Sequence, residues 1–331
     1  MIQSASSQLA IDLSHVEKIY KGRVYALQGV NMRVHRGEVF GLLGPNGAGK
    51  STLVKIMMTV VRPTRCEGLL LGNPIGHKPT LSRVGYLPEN HRFPRYLTGR
   101  QTLDFLGALS KTPRKARHRR TQELLDVVGM RDWADRKVSV YSKGMMQRIG
   151  LAQALVHDPD LVLLDEPTDG VDPVGRREIR DVILNMKHRG KTVFINSHLL
   201  SELEMISDRV AILVGGRVAT QGTIDELAIA KQYYAIELAE APDPALLESL
   251  RRSVSEGISV ELKGKSLEIG TIDAAAVQPA IDTLRSAGAV IRRVHLFRPS
   301  LEDLFIEAVG SGRNGAGVPV GARPISAGGA A

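Results

Sequence analysis

The sequence has few of the features that mark secreted or membrane-spanning proteins. Its 331 residues include one cysteine, Cys66, so no disulfide can form within the chain, which fits a reducing cytosol. It has no run of about 18 apolar residues, so we expect no transmembrane helix. The opening stretch, MIQSASSQLAIDL, does not place a charged segment before an apolar one, which argues against a secretory signal. We therefore expect a cytosolic globular protein.

Aromatic residues are also scarce, and acidic residues are outnumbered by basic ones. Phe, Trp and Tyr make up 4% of the chain, and 44 Lys and Arg stand against 35 Asp and Glu, a formal net charge of +9 at pH 7. This surplus suits nucleotide phosphates, nucleic acid or an anionic membrane face. The run KTPRKARHRR, residues 111–120, either begins a solvated helix or forms a binding patch. Few aromatics interleave with it, which weakens a single-stranded nucleic-acid interpretation. We expect no direct nucleic-acid partner.

Residues 9–230 alternate between short apolar strands and helical stretches. The informative strands are Val39–Leu43, Leu161–Asp165 and Thr192–Asn196, each followed by polar loop residues. This pattern predicts an α/β fold with a parallel sheet that helices cover on both faces. Between about 98 and 157 helical periodicity replaces the strand signal, which predicts an inserted helical subdomain.

Beyond residue 230 the character of the chain changes. YYAIEL, PALLESLRR, ISVEL, SLEIG, AAVQPAIDTLRSAG and AVIRRVHL follow the β-α-β-β-α-β order of a ferredoxin-like α+β unit. With a closing helix over 299–309, they predict an accessory domain at 231–309. Residues 310–331, rich in Gly, Ala and Pro, are predicted to be a disordered tail, and residues 1–8 a flexible N-terminus.

A glycine-rich segment, GPNGAGKST, fits the pattern G-x-x-x-x-G-K-[ST] between an apolar strand and a helical run. Its glycines let the backbone curl so that N–H groups face an anion, and the following helix directs its positive end at phosphates. Lys50 adds a charge for the outer phosphates, and Ser51 can ligate Mg²⁺. The flanking strand and helix argue against a chance glycine-rich turn. The predicted phosphate-binding residues are Gly44, Pro45, Asn46, Gly47, Ala48, Gly49, Lys50, Ser51 and Thr52.

A second polar segment, LVLLDEPTDG at residues 161–170, places two acids at the end of a predicted buried strand. Asp165 can hold Mg²⁺ through water beside Ser51. Glu166 can accept a proton from an attacking water, which makes it the candidate general base. His198, just after another strand, could reach a γ-phosphate oxygen. The alternatives are a helix-capping acid pair and a surface histidine, but the phosphate loop upstream favours catalysis.

The order of these motifs resembles the nucleotide-binding subunit of an ABC transporter, a P-loop NTPase with a RecA-like core and an inserted helical subdomain. The resemblance implies hydrolysis of ATP with Mg²⁺. It also implies that Tyr20 stacks on adenine and that the two acids form the Walker B pair. Asp172 would contact the opposing subunit, and His198 would be the switch histidine.

Two positions depart from the usual pattern of that family. Glu89 stands where most members have glutamine; it keeps an oxygen for Mg²⁺ but adds negative charge, and relatives of the ABC-2 export type often carry it. YSKGMMQR replaces LSGGQ: Ser142 and Gly144 are retained, while Lys143 replaces a glycine and Met145 loses a polar contact. In the family this signature loop contacts the γ-phosphate held by the other subunit, so one chain cannot complete a site.

The C-terminal segment RPSLEDLFIEAVG, residues 298–310, resembles the closing segment of ATPases that serve ABC-2-type exporters. The resemblance implies a cytoplasmic ATPase, peripheral on the inner face of the cell membrane, that forms a homodimer around ATP and drives a separate permease. The loop at residues 90–99 would either meet that permease or be a flexible turn. One rival hypothesis is a soluble ABC ATPase acting on nucleic acid or ribosomes, but the usual second cassette or coiled-coil insertion is missing. Another is a non-hydrolytic nucleotide sensor, which the intact acid pair disfavours.

Overall fold

The computed structural model describes residues 8–314, which belong to two compact units. Of the described residues, 8–221 and 305–314 belong to the first unit, and Gly222–Leu304 to the second. The sequence predicted a domain boundary at residue 230, whereas the second unit of the structure begins at Gly222. The short helix at Ile224–Ile229 therefore belongs to the second unit. Residues 1–7 and 315–331, most of the predicted N-terminal and C-terminal tails, lie outside the described part.

The first unit contains a four-stranded antiparallel sheet in the order β2-β1-β4-β5. Its strands are β1 (Leu9–Tyr20), β2 (Val24–His35), β4 (Arg65–Leu70) and β5 (Asn73–Pro74). β1 pairs with both β2 and β4 in antiparallel register. Its apolar face packs Ile11 and Leu13 into the same core as the phosphate-loop helix, so this sheet supports the phosphate loop from one side.

A six-stranded sheet in the order β10-β9-β3-β8-β7-β6 forms the centre of the first unit. The strands are β3 (Val39–Leu43), β6 (Val84–Leu87), β7 (Leu161–Asp165), β8 (Thr192–Asn196), β9 (Arg209–Val214) and β10 (Arg217–Thr223). β3 pairs in parallel with β8 and β9, and β7 with β6 and β8. Every residue of β3, β7 and β8 is buried, as expected of a sheet covered on both faces. The predicted parallel α/β core is confirmed.

Helices surround this sheet and form the helical insertion. Those of the α/β core are α1 (Lys50–Met57), α2 (Lys78–Leu81), α6 (Pro173–His188) and α7 (Leu200–Ile206). The insertion contains α3 (Gly99–Leu109), α4 (Arg114–Val127), a 3₁₀ turn (Val138–Val140) and α5 (Lys143–Leu155), all inside the predicted limits of 98 and 157. In the described part of the chain, no helix is long and apolar enough to cross a membrane.

The basic run at residues 111–120 begins α4 and is partly neutralised within the fold. Arg117 Nε lies 2.6 Å from Asp104 Oδ1, which joins α4 to α3. Arg120 donates to Asp158 at 3.1 Å. Arg114 and Lys115 are exposed at the helix start, so the solvated-helix interpretation describes this run better than a dedicated binding patch.

The second unit is a ferredoxin-like sandwich with strand order β12-β13-β11-β14. Its elements are α8 (Ile224–Ile229), β11 (Tyr233–Leu238), α9 (Pro244–Ser253), β12 (Val260–Lys263), β13 (Ser266–Ile269), α10 (Ala274–Ser286) and β14 (Ile291–Phe297). The pairs β11 with β13, β11 with β14 and β12 with β13 are all antiparallel. Ile236, Leu267 and Leu284 are fully buried between the sheet and its helices.

The last helix, α11 (Leu301–Asn314), differs from its prediction at both ends. It starts later than residue 299 because Ser300 caps it: the Ser300 hydroxyl accepts from Asp303 N–H at 3.2 Å. It also continues past 309, which corrects the predicted start of the disordered tail at 310. A glycine inside a helix, such as Gly310, destabilises the helix by only about 1 kcal/mol relative to alanine, so the helix can continue through it.

Candidate nucleotide-binding and hydrolysis site

The loop between β3 and α1 has the backbone geometry of an anion cradle. Gly47 and Gly49 adopt left-handed φ angles of +81° and +105°. A Cβ at Gly49 would lie 2.3 Å from the carbonyl oxygen of Ala26, so only glycine fits there. Lys50, the first residue of α1, donates from Nζ to the Gly44 carbonyl at 2.7 Å. The loop thus curls around its own lysine at the positive end of a helix.

A cavity of about 660 Å³ opens in front of this loop, a size suited to a nucleotide. It brings together the whole predicted phosphate loop with Glu89, Glu166 and His198. Its other lining residues are Ala26, Asp169, Asn196, Ser197, Leu200 and Phe305. Within the described residues, the predicted site residues Tyr20, Ser142, Gly144, Asp165 and Asp172 are not part of this lining. The predicted site residues therefore fall into a cavity group and a group outside it.

Asp165 is a buried carboxylate at the end of β7. It is 2% exposed and lies opposite Asn196 in the parallel register of β7 and β8. Asn196 donates from its side-chain amide to Asp165 Oδ1. Burial raises the pKa of Asp165 to about 6; that hydrogen bond opposes the rise, while the negative charges of Glu89 and Glu166 add to it. Burial is the main cause, so the charged form of Asp165 is disfavoured in the site until a positive group joins it.

Lys50 supplies positive charge inside the same cavity. It is 7% exposed, and burial lowers its pKa. The carboxylates of Glu166, Asp165 and Glu89 act in the opposite direction and favour the charged amine. A lysine held among three acids next to a helix N-terminus can bind a phosphate oxygen when one enters.

Glu166 has an unusual backbone conformation that directs its side chain towards His198. Its φ of +52° is uncommon for a residue with a side chain, and such strained positions concentrate at functional sites. Its N–H donates to the Asn196 carbonyl at 2.8 Å, which holds the turn. Its Oε2 lies 2.8 Å from His198 Nδ1. The carboxylate is nearly buried, whereas the histidine is half exposed.

The signature loop lies at the start of α5, in contact with the segment that follows β7. The Ser142 hydroxyl accepts from Met145 N–H at 3.2 Å and caps the helix. Lys143 Nζ lies 2.6 Å from Asp169 Oδ2. The buried Gln147 donates from Nε2 to the Glu166 carbonyl at 2.9 Å. The loop is thus bonded to residues 165–170 of its own chain, the segment after β7 that carries the acids and is called the acid segment below.

The remaining predicted contact residues are partly or fully exposed. A Cβ at Gly144 would meet Val171 at an ordinary 3.5 Å, so the chain's own packing does not demand glycine there. Asp172 is exposed at the start of α6 and makes no side-chain capping bond. Tyr20 is 39% exposed, with Lys18 Nζ 4.8 Å from its ring centroid. These positions are available to a ligand or a partner.

Sequence reasoning missed four residues that shape the site. They are His91, Gln147, Asp169 and Asn196. Asn196 ends a predicted buried strand and could have been found as its terminal polar residue. His91, whose Nε2 lies 3.1 Å from the Met146 carbonyl, has no local signal because its partner lies on a distant helix.

Two comparisons with known proteins decide the family. Residues 27–169 match the family model described as ABC transporter. A protein of Synechocystis sp., described as an uncharacterized ABC transporter ATP-binding protein, is 40% identical over 304 residues, covering 89% of this chain and 83% of that protein. The chain belongs to the ABC transporter ATP-binding proteins. It is therefore a nucleotide-binding ATPase of the family that hydrolyses ATP to power transport.

Further similarities cover most of this ABC protein. The Nod factor export ATP-binding protein I of Rhizobium sp. is 32% identical over 308 residues, covering 92% of this chain and 98% of that protein. A solved structure described as an ATP-binding subunit of an ABC transporter superposes with a TM-score of 0.61 at 26% identity, covering 66% of this chain and 92% of that one. The predicted P-loop fold and the resemblance to ABC subunits are confirmed.

Proposed function

We propose that this protein is the ATPase subunit of an export system, which dimerises around ATP and drives a separate ABC-2-type permease. The observation that carries the proposal is the meeting of the phosphate loop and the Glu166–His198 pair around one cavity, where the lining residue Asn196 also donates to Asp165. The name of the Rhizobium relative supports export. The relatives matched over most of the chain are transporter ATP-binding proteins, which favours transport over action on nucleic acid or ribosomes.

The triphosphate would occupy the cavity with its outer phosphates on the loop. Backbone N–H groups of the curled loop and Lys50 would hold the β- and γ-phosphates, since both face the cavity. Thr52 lines the same wall and can donate a further hydrogen bond. Tyr20, with its partly exposed ring, would stack on adenine.

The residues present also fit Mg²⁺ held jointly with the nucleotide. In the part of the chain that the structure describes, no three His, Cys, Asp or Glu side chains form a metal cage by themselves. The Ser51 hydroxyl, the raised-pKa carboxylate of Asp165 and the oxygens of Glu89 would be its ligands, directly or through water. Bound there, Mg²⁺ would supply positive charge that offsets the charge of the triphosphate.

Hydrolysis would proceed by attack of a water on the γ-phosphorus, with cleavage of the bond to the bridging oxygen of ADP. Glu166 Oε2 would orient this water and accept its proton. His198, hydrogen-bonded to the same oxygen, would fix the carboxylate and reach a γ-phosphate oxygen. Lys50 would stabilise the charge that moves onto the leaving oxygen.

The predicted contact residues outside the cavity suit a second subunit. Ser142, Gly144 and Asp172 lie outside the cavity of their own chain, so we propose that they complete the site of the opposite chain. A homodimer would place each signature loop against the partner's γ-phosphate, and closed two-fold assemblies are the commonest arrangement.

We propose that the loop at residues 90–99 meets the permease on the inner face of the membrane. His91 connects this loop to α5 through the Met146 carbonyl, so a movement there would reach the signature helix. Tyr96 is 73% exposed, which suits an aromatic contact with a partner.

Co-purification from detergent-solubilised membranes tests the proposed function. A tagged chain carrying Glu166→Gln, with ATP present, should retain a partner with several transmembrane segments. Tyr96→Ala should reduce this retention, whereas Tyr25→Ala, another exposed tyrosine of the first unit, should not. Recovery with ribosomes or nucleic acid instead of a membrane protein would overturn the proposal.

A further inference from the structure

The lysine that makes the signature loop atypical has a specific partner within its own chain. Lys143 Nζ lies 2.6 Å from Asp169 Oδ2, and its side chain crosses directly over Gly170. A Cβ at Gly170 would lie 2.3 Å from that nitrogen. Gly170 also adopts a left-handed φ of +65°. The glycine therefore provides both the turn and the space through which the lysine reaches the carboxylate.

Asp169 borders the cavity where the triphosphate would lie. It is part of the lining together with Glu166 and His198. The hydrogen bond from Lys143 lowers the pKa of Asp169, so its carboxylate is charged at neutral pH. An uncompensated carboxylate at this wall would repel the triphosphate. A cation bound to Asp169 removes that repulsion without entering the cavity lining itself.

A second contact one turn along α5 fixes the same segment. Gln147 donates to the Glu166 carbonyl, and Asp169 N–H in turn donates to this carbonyl at 3.2 Å. The start of α5 thus contacts the acid segment near both of its ends. The position of Asp169, and not only its charge, depends on the helix that begins at Lys143.

We propose that Lys143 is a positioning residue that acts through Asp169: it neutralises and places this carboxylate so that ATP can bind beside it. The inference rests on the proposed nucleotide site and adds to it a residue from outside the cavity. It assigns the atypical signature lysine a function in its own chain's site, whereas Ser142 and Gly144 serve the partner's site.

A double-mutant cycle on the full-length protein tests this positioning role. Binding of Mg²⁺ and a fluorescent ATP analogue is titrated for wild type, Lys143→Met, Asp169→Asn and the double variant. Lys143→Met should weaken binding about two- to fivefold, the range of a partly exposed ion pair. Asp169→Asn should bind at least as tightly as wild type, because the repelling charge is gone while Lys143 keeps its own. The double variant should recover the affinity that Lys143→Met loses. Lys143→Arg should retain binding.

Two controls separate this effect from general charge and stability effects. Lys115→Met removes the same charge from an exposed position on α4 and should leave binding unchanged. The defect of Lys143→Met should shrink as salt is raised, since repulsion between partly exposed charges is screened. Thermal unfolding of each variant verifies that it is folded.

The outcomes that overturn the inference are distinct from failure of the proposed function. Wild-type affinity in Lys143→Met, or a double variant as weak as Lys143→Met, would show that Asp169 does not mediate the effect. A wild-type protein that binds no ATP analogue would instead overturn the nucleotide site itself. Failure to find a permease would leave this cycle unaffected.

Discussion

Glu166 Oε2 lies 2.8 Å from Nδ1 of His198, across the ends of two neighbouring parallel strands. The carboxylate is nearly buried and its histidine partner is half exposed, so the pair has one side in the fold and one side in the cavity. The left-handed backbone of Glu166 makes this alignment possible, because an extended residue after β7 would continue along the strand direction. Strained backbone positions concentrate at functional sites, so Glu166 is the first residue to test.

Glu166→Gln should retain ATP, stabilise the ATP-bound dimer and lower turnover by about 10²- to 10⁴-fold, the usual contribution of a general base. Phosphate release measures turnover, and light scattering with ATP measures the dimer. Glu256→Gln, on an exposed part of the second unit, serves as the matched control. Undiminished hydrolysis in Glu166→Gln would show that another group accepts the proton.

The two left-handed glycines of the phosphate loop should differ in their tolerance of alanine. Gly47 has open space at the Cβ position, so Gly47→Ala should cost about 1–2 kcal/mol for the left-handed conformation alone. Gly49→Ala adds the collision with the Ala26 carbonyl and should destabilise the fold further. Denaturant unfolding compares them; equal losses would mean that the loop shifts to relieve the collision.

Asp165→Asn should stabilise the nucleotide-free protein while weakening binding of Mg²⁺ and ATP. The pKa of Asp165 is raised from 3.8 to about 6, so between these values the folded state holds a proton that the unfolded state releases. Ionisation of Asp165 therefore lowers the free energy of unfolding increasingly as pH rises through this window. The whole effect is present above about pH 6. The melting-temperature gain of Asp165→Asn should be largest at pH 7–8 and disappear near pH 4. A gain independent of pH would contradict this explanation.

Gly144→Asp should separate ATP binding from turnover. Gly144 does not line the cavity of its own chain, so the isolated subunit should bind ATP with unchanged affinity. In the assembled transporter, the added carboxylate would meet the partner's γ-phosphate and abolish hydrolysis. Titration of the isolated subunit and phosphate release from the assembled transporter measure the two effects. Full activity of the assembled variant would show that this loop is not a signature.

Much of the fold followed from local patterns in the chain. The buried runs of β3, β7 and β8 predicted a parallel sheet, and the segment order after residue 230 predicted the ferredoxin-like unit. The end of α11 was wrong because glycine-rich composition was taken as disorder, although a capped helix continues through Gly310 to Asn314. The short helix at Ile224–Ile229 gave no signal for the unit to which it belongs, since this depends on packing.

The amino-acid sequence by itself determined the phosphate loop, the acid pair after β7 and the order of the motifs, because each lies in one contiguous stretch with a fixed spacing. Only the tertiary structure decided which polar groups meet. Asp165 pairs with Asn196, Glu166 with His198, and Lys143 with Asp169, each from a different part of the chain. Such partners depend on which strand ends and helix starts the packed core brings together. The spacing of residues along the chain does not predict these contacts.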